Sequence, residues 1–423
     1  MERYDLLYRL YDEFDVETLR EHQSFVDLFP PVDSRVALDH WETASDELDR
    51  LKGEIRDALP AGGTFAEVAA YADRETAFTA LDLHARYGRG VNVLVLDVDE
   101  TLRSAGGTDN EIPRETLHVL TTLHDAGVPI VICTGQTLEN VKGFMIQGLG
   151  NELVHSGDFS IVYESGNGVF TPGHGSRTKR LLYEGLDESV RGVFGDVRSR
   201  VLSEAPRNVR RGSHLQGNEF NVTLKPNFET GSADAEAVID EGLAHLIDLL
   251  GAVVVERVGI ENVASPVSPT DRGAAWARAH YAAADPEIRE VLEGNADAFG
   301  ASALADVPEP VAALLDRIDV GYYRGDAAEI TSLELDKVAG VDAALDVLDV
   351  SDPFMLVMGD SKSDLRVMEW VADRDAGLSA APEHASADVL SHVLDRDELV
   401  FDPGASARIL RTAYVLNHFS RLD

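Results

Sequence analysis

The run Val91-Asn-Val-Leu-Val-Leu96 is nearly all apolar and passes directly into Asp97-Val-Asp99-Glu-Thr101. A strand without polar alternation is buried on both faces, as the strands of parallel sheets are. A parallel neighbour requires a crossover, and the next segment supplies one. A helix is expected over 113–125, with Pro113 in its first turn and Gly127 just past its end, and a second apolar run follows at Val128-Pro-Ile-Val-Ile-Cys133. A third run, Pro353-Phe-Met-Leu-Val-Met358, comes far downstream and ends in Gly359-Asp360. The expected fold class is α/β, built on a Rossmann-like parallel sheet. Ligands of such sheets bind beyond the carboxyl ends of the strands, so the chemistry is sought there.

Those ends are rich in functional groups. Asp97 and Asp99 stand two residues apart, a spacing that turns both to one side of a strand. The second run ends in Thr134-Gly135-Gln136, and the late one in Gly359-Asp360-Ser-Lys-Ser-Asp364. Lys337 closes Leu333-Glu-Leu-Asp-Lys337, just ahead of an expected helix. Carboxylates, a hydroxyl and an ammonium are thus expected along one edge of one sheet.

This pattern resembles the haloacid dehalogenase superfamily of phosphotransferases at all four of its motifs, over residues 91–171 and 331–395. The resemblance implies that Asp97 is a nucleophile attacking phosphorus, and that Asp99 protonates the leaving oxygen and later activates water. It implies that Thr134, the amide of Gly135 and Lys337 bind the phosphoryl oxygens. It further implies Mg²⁺ held by Asp97, Asp360, Asp364 and the backbone carbonyl of Asp99. An aspartate at 99 points within that superfamily to a phosphatase or phosphomutase. Two positions depart from the usual pattern: Glu100 stands where relatives carry glycine, and Ser363 where asparagine is common.

Only 32 residues (102–133) separate Thr101 from Thr134, room for one loop and one helix, whereas 202 residues (135–336) precede Lys337. A large insertion after the third core strand resembles the Cof-type sugar phosphatases, sucrose-phosphate phosphatases and phosphomannomutases. Glu164-Ser-Gly-Asn167-Gly168 resembles the stretch that precedes the cap in those families, and Asn167 is read either as a substrate contact or as a turn. The expected division is a helical extension over 1–88, a catalytic core over 89–171 and 331–423, and an α+β cap over 172–330. Inside the cap, alternation at Phe220-Asn-Val-Thr-Leu224 predicts a strand, and 273–315 is expected to be helical. Two cation-rich stretches, Arg207–Lys225 and Arg177-Thr-Lys179-Arg180, are candidate substrate contacts or ordinary exposed clusters.

In the first 88 residues, Leu7, Leu10, Tyr11 and Phe14 form one helical stripe, which Pro30-Pro31 is expected to interrupt. A second helix is expected around Trp41–Ile55, ended by Gly62-Gly63, and a third over 65–87. Nothing in them suggests chemistry; they are read as packing elements or as the interface of a homo-oligomer. Cys133 is the single cysteine and is read as core, and His155, His174 and His214 show no zinc-ligand spacing.

Composition narrows the partners. With 75 acidic and 37 basic residues the formal charge is −38, which argues against a nucleic-acid binder and disfavours docking on an anionic membrane. No apolar run approaches the ~18 residues of a membrane span, and a soluble, cytoplasmic protein is expected. The resemblance implies a Mg²⁺-dependent phosphomonoester hydrolase acting on a small-molecule phosphate ester, a sugar phosphate above all. A phosphomutase and a non-catalytic phosphate-binding module are the alternatives.

The acidic balance, with six lysines against 31 arginines, resembles that of cytoplasmic proteins of salt-accumulating halophilic archaea. Like-charge repulsion across such a chain weakens as the screening length falls from about 30 Å at 0.01 M salt to about 3 Å at 1 M. The thermal unfolding midpoint is therefore expected to rise across a KCl series over that range. A flat or falling midpoint would show that repulsion does not limit stability.

Overall fold

The computed structural model describes residues 2–29, 35–103, 111–218, 220–260, 268–294 and 307–422. It divides into two compact units, one of residues 1–180 with 340–423 and one of residues 181–339.

The first unit opens with five helices: α1 (Glu2–Glu13), α2 (Val16–Leu28), α3 (Arg35–Ala58), α4 (Gly62–Tyr71) and α5 (Arg74–Tyr87). The expected first helix is in fact two. Asp15 accepts a hydrogen bond from the Thr18 N–H (3.2 Å) and so restarts the chain as the N-cap of α2. The expected third helix divides likewise, because Asp73 accepts from the Thr76 N–H (2.8 Å) and caps α5. Gly62-Gly63 begins α4 rather than ending α3. A Cβ on Gly62 would lie 2.4 Å from the Arg56 carbonyl oxygen, so only glycine lets the chain turn back this tightly. Pro30-Pro31 lie outside the described residues.

The stripe offered for oligomerisation is used within the chain itself: Leu7 and Leu10 are fully buried and share one core with Leu94 and Leu96. α4 and α5 are tied to the terminal helix Ser406–Ser420, where Phe65 meets Phe419 and Tyr71 meets Tyr414 edge-on at 4.8 Å. Arg408 pairs there with Glu75 (2.7 Å).

The sheet that these helices cover has eight strands: β1 (Val93–Leu96), β2 (Ile130–Cys133), β3 (Phe159–Tyr163), β4 (Gly168–Phe170), β5 (Lys179–Leu181), β10 (Met355–Met358), β11 (Gly377–Pro382) and β12 (Leu399–Phe401). The remaining strands, β6 to β9, belong to the second unit. Strand order is β12-β11-β10-β1-β2-β3-β4-β5. Pairing is parallel from β12 through β3, and β3–β4 is antiparallel. α6 (Arg114–Asp125) makes the β1–β2 crossover, and α7 (Leu138–Leu149) leads on from β2 to β3. The register sets Leu96 beside both Ile132 and Met358, so the chain leaves β2, β1 and β10 at one level. The strand order reverses direction between β1 and β10, where α/β sheets open a crevice.

The second unit is an insertion with its own antiparallel sheet, ordered β6-β7-β9-β8: β6 (Ser213–Asn218), β7 (Asn221–Pro226), β8 (Ile318–Tyr323) and β9 (Ala327–Ser332). Ile318, Val320 and Tyr322 alternate into its core with Val222, Leu224 and Ile330. That core is closed by helices, chief among them Ser232–Val258, which the sequence reading had not anticipated. The stretch expected to be helical contains Pro269–Ala284, Pro286–Gly294 and Glu309–Leu315.

The Asp73 cap yields a test. Partial burial raises its pKa, but hydrogen bonds from Thr76 and the nearby Arg20 and Arg408 outweigh this and hold it below the ordinary value. A depressed carboxylate pKa contributes stability above the unfolded-state value, and that contribution is lost as pH falls through the folded-state value. Asp73→Ala is expected to destabilise by about 1 kcal/mol at neutral pH. The difference from wild type should shrink below about pH 4, as followed by urea unfolding.

Candidate active site

Asp97 follows β1 directly; its N–H donates to the Met358 carbonyl (2.9 Å), and the residue is 6% exposed. Asp360 stands at the same level after β10, and its Oδ1 accepts a hydrogen bond from the Thr101 hydroxyl (3.3 Å). Asp364 lies one turn into the helix Lys362–Ala372, where it forms a capping box: its Oδ2 accepts from the Ser361 N–H (3.1 Å) and hydroxyl (2.6 Å). The close approach that brings Asp364 back to β10 requires Gly359, since a Cβ there would meet the Asp364 Cβ at 2.3 Å.

One carboxylate oxygen each of Asp97, Asp360 and Asp364 lies within 4.8 Å of the other two. Asp97 and Asp364 are buried, and buried carboxylates this close oppose one another unless cationic charge is placed between them. An all-oxygen donor set suits a hard divalent cation such as Mg²⁺, which prefers carboxylates and keeps several waters. The residues therefore fit the metal that the motifs imply.

Asp99 is half-exposed. Its Oδ1 accepts from Arg103 Nε (2.9 Å) and a second Arg103 nitrogen (2.6 Å), while its Oδ2 accepts from Gln136 Nε2 (2.6 Å). The Gln136 N–H in turn donates to the Thr134 hydroxyl (3.1 Å). Thr134 is buried, and its carbonyl accepts from the Ser165 N–H (3.0 Å). Gly135 lies beside Ser165, whose hydroxyl oxygen would be 3.5 Å from a Cβ at 135. Lys337 belongs to the second unit; it is buried at the start of the helix Lys337–Val347. Burial and Glu329 raise the Tyr323 pKa there, and the Lys337 charge partly opposes them.

The two departures from the usual motif have local accounts. Glu100 has φ +58°, the left-handed conformation that glycine adopts without steric penalty, and its carboxylate meets His384 at 3.4 Å. The Ser363 hydroxyl is hydrogen-bonded to that of Ser361 (2.9 Å). Glu164 and Ser165 are both left-handed, at φ +50° and +57°, so the loop after β3 is strained where it meets Thr134 and Gln136. Asn167 is buried, and its N–H closes the turn onto the Glu164 carbonyl (3.4 Å).

Of the candidate cations, Arg177 and Arg180 pair with Asp349 (3.4 Å) and Asp346 (2.7 Å), and Lys225 pairs with Asp326 (3.2 Å). Arg207, Arg210 and Arg211 lie on the short helix Arg207–Gly212. The sequence reading missed Arg103, Gln136, Ser165 and the Thr101 hydroxyl as members of this constellation. Thr101 and Gln136 lay inside the quoted motifs; Arg103 carried no signal beyond its nearness to Asp99.

The sequence signature of the haloacid dehalogenase-like hydrolases matches residues 94–177. That match takes in Asp97, Asp99 and Thr134, and the strands that lead to Asp97, Thr134 and Asp360 are neighbours in the sheet. No curated protein matches the chain. Among solved structures it is similar to a Thermoplasma acidophilum protein, at 12% identity and TM-score 0.42, covering 77% of this chain and 100% of that one. It is also similar to trehalose-6-phosphate phosphatase from Aspergillus fumigatus, at 14% identity and TM-score 0.41, covering 80% and 97%. A haloalkanoate-superfamily phosphatase from Bacteroides thetaiotaomicron aligns at 16% identity and TM-score 0.40, covering 78% and 96%. No helix among the described residues is long and apolar enough to cross a membrane.

Gly359 separates packing from helix propensity. Gly359→Ala is expected to cost about 1–3 kcal/mol, because the new methyl displaces Asp364. Gly143→Ala in α7, with nothing within 4 Å of the added Cβ, should be neutral or stabilising by up to about 1 kcal/mol. Thermal melts of the two variants beside wild type make the comparison.

Proposed function

We propose that this protein is a Mg²⁺-dependent phosphomonoester hydrolase that works through a phosphoaspartate at Asp97, with small phosphorylated metabolites, sugar phosphates first among them, as substrates. The observation that carries this reading is the meeting of the Asp97, Asp360 and Asp364 oxygens within 4.8 Å at the strand-order reversal, with Asp99 two residues beyond the nucleophile. In the first step an Asp97 oxygen attacks phosphorus and the bond to the ester oxygen breaks. Asp99 supplies the proton that the departing alkoxide needs. In the second step a water loses its proton to Asp99 and attacks the phosphoaspartate, which releases phosphate and restores Asp97. The Thr134 hydroxyl and Gly135 N–H are suited to the phosphoryl oxygens, and Lys337 enters this reading on its motif position alone. When bound, Mg²⁺ supplies the charge that lets an anionic substrate approach an anionic nucleophile. The sugar-phosphate preference rests on the size and position of the insertion.

The test is phosphate release from a panel of phosphate esters with Mg²⁺. Asp97→Asn should lower turnover by more than about a thousandfold, the scale of losing a nucleophile, with the fold intact by circular dichroism. EDTA should abolish activity and added Mg²⁺ restore it. Near-wild-type turnover in Asp97→Asn, or full activity in chelator, would overturn the reading. Activity that appears only with an added sugar bisphosphate would identify a phosphomutase instead.

A further inference from the structure

We infer that Arg103 and Gln136 are positioning residues that hold the Asp99 carboxylate in the orientation from which it protonates the leaving oxygen. This rests on the hydrolase reading above. A half-exposed aspartate on a loop would ordinarily sample several rotamers, because an exposed ion pair contributes about 0–1 kcal/mol and seldom fixes a side chain. Asp99 is held differently. Arg103 directs two nitrogens at Oδ1, and Gln136 takes one lone-pair position of Oδ2, so the two oxygens are gripped from separate parts of the chain and the other position on Oδ2 is left to carry the transferred proton.

Both clamping residues are themselves secured. The Arg103 side chain is only 12% exposed, and its guanidinium lies 4.6 Å from the ring centre of Phe144 on α7. Gln136 is pinned through its backbone, with its N–H on the Thr134 hydroxyl and its carbonyl accepting from the Glu164 N–H (2.9 Å). A continuous chain therefore runs from Phe144 through Arg103, Asp99 and Gln136 to Thr134. It couples the proton donor to the hydroxyl assigned to the phosphoryl group, and so sets the donor against the bond that breaks. Misplacing a catalytic group by about 1 Å costs on the order of a hundredfold in rate.

The chemistry provides a readout that a purely structural role would not move. Attack by Asp97 forms one P–O bond and breaks another. An alkoxide leaves only as it takes the Asp99 proton, whereas 2,4-dinitrophenolate leaves without one. Single-turnover release of the alcohol or phenol isolates this step from the later hydrolysis, in which Asp99 also acts. Arg103→Met, Arg103→Lys, Gln136→Met and Asp99→Asn are compared on 2,4-dinitrophenyl phosphate and on the best alkyl phosphate of the panel.

Arg103→Met and Gln136→Met are expected to slow alkyl ester cleavage by about 30-fold or more, and dinitrophenyl ester cleavage by less than about threefold. Arg103→Lys, which keeps the charge but not the fork, should fall between Met and wild type. Asp99→Asn should show the same leaving-group dependence, more strongly. If Asp99→Asn discriminates between the esters while the Arg103 and Gln136 variants slow both equally, or neither, the positioning role is overturned. If Asp99→Asn itself slows both equally, the acid role beneath it falls as well. Should Arg103→Met fail to fold, Gln136→Met and Arg103→Lys carry the same comparison.

Discussion

Three carboxylates converge where the sheet reverses its strand order, and the neighbouring structure is arranged around their mutual repulsion. Two unit charges about 4 Å apart repel by about 4 kcal/mol at an effective dielectric of about 20. Hydrogen bonds offset part of this. Thr101 donates to Asp360, and Ser361 donates twice to Asp364 at the head of a helix whose dipole favours negative charge. What remains is an electrostatic demand that a divalent cation would meet, and binding one there would join metal binding to local stability in one set of residues.

Parallel register delivers these groups with little help from the loops. β1, β2 and β10 end at one level, so Asp97, Thr134 and Asp360 are brought side by side by backbone pairing alone. This is why the core motifs were legible in the sequence: an apolar strand followed by a functional residue specifies both the element and the end at which the residue sits. Arg103 was not legible, because its partnership with Asp99 depends on a local loop turn and on a ring from α7. Gln136 was quoted as part of a strand end without a role, since a glutamine side chain announces no direction.

The two helix breaks in the N-terminal layer share one cause, local hydrogen bonding that hydrophobic periodicity does not register. Asp15 and Asp73 each stop and restart a helix while the apolar spacing runs on through the break. The helix Ser232–Val258 was missed for the opposite reason. Leu246, Ile247, Leu249, Leu250, Val253 and Val254 are buried around most of its circumference, so no single stripe marks it. Charge contrast was a weak guide as well, because Arg177, Arg180 and Lys225 are engaged by acids that a sequence of this composition supplies everywhere.

The contact between Phe65 and Phe419, with Tyr71 against Tyr414, joins α4 to the helix Ser406–Ser420 across most of the chain's length. On the ribosome the early helices emerge long before the surface that completes their core has been made. Their apolar faces must wait, shielded by one another or by chaperones, until the helix Ser406–Ser420 is released. Closing so long a loop makes this a high-contact-order assembly, and the layer over the sheet is completed only after the second unit has been synthesised.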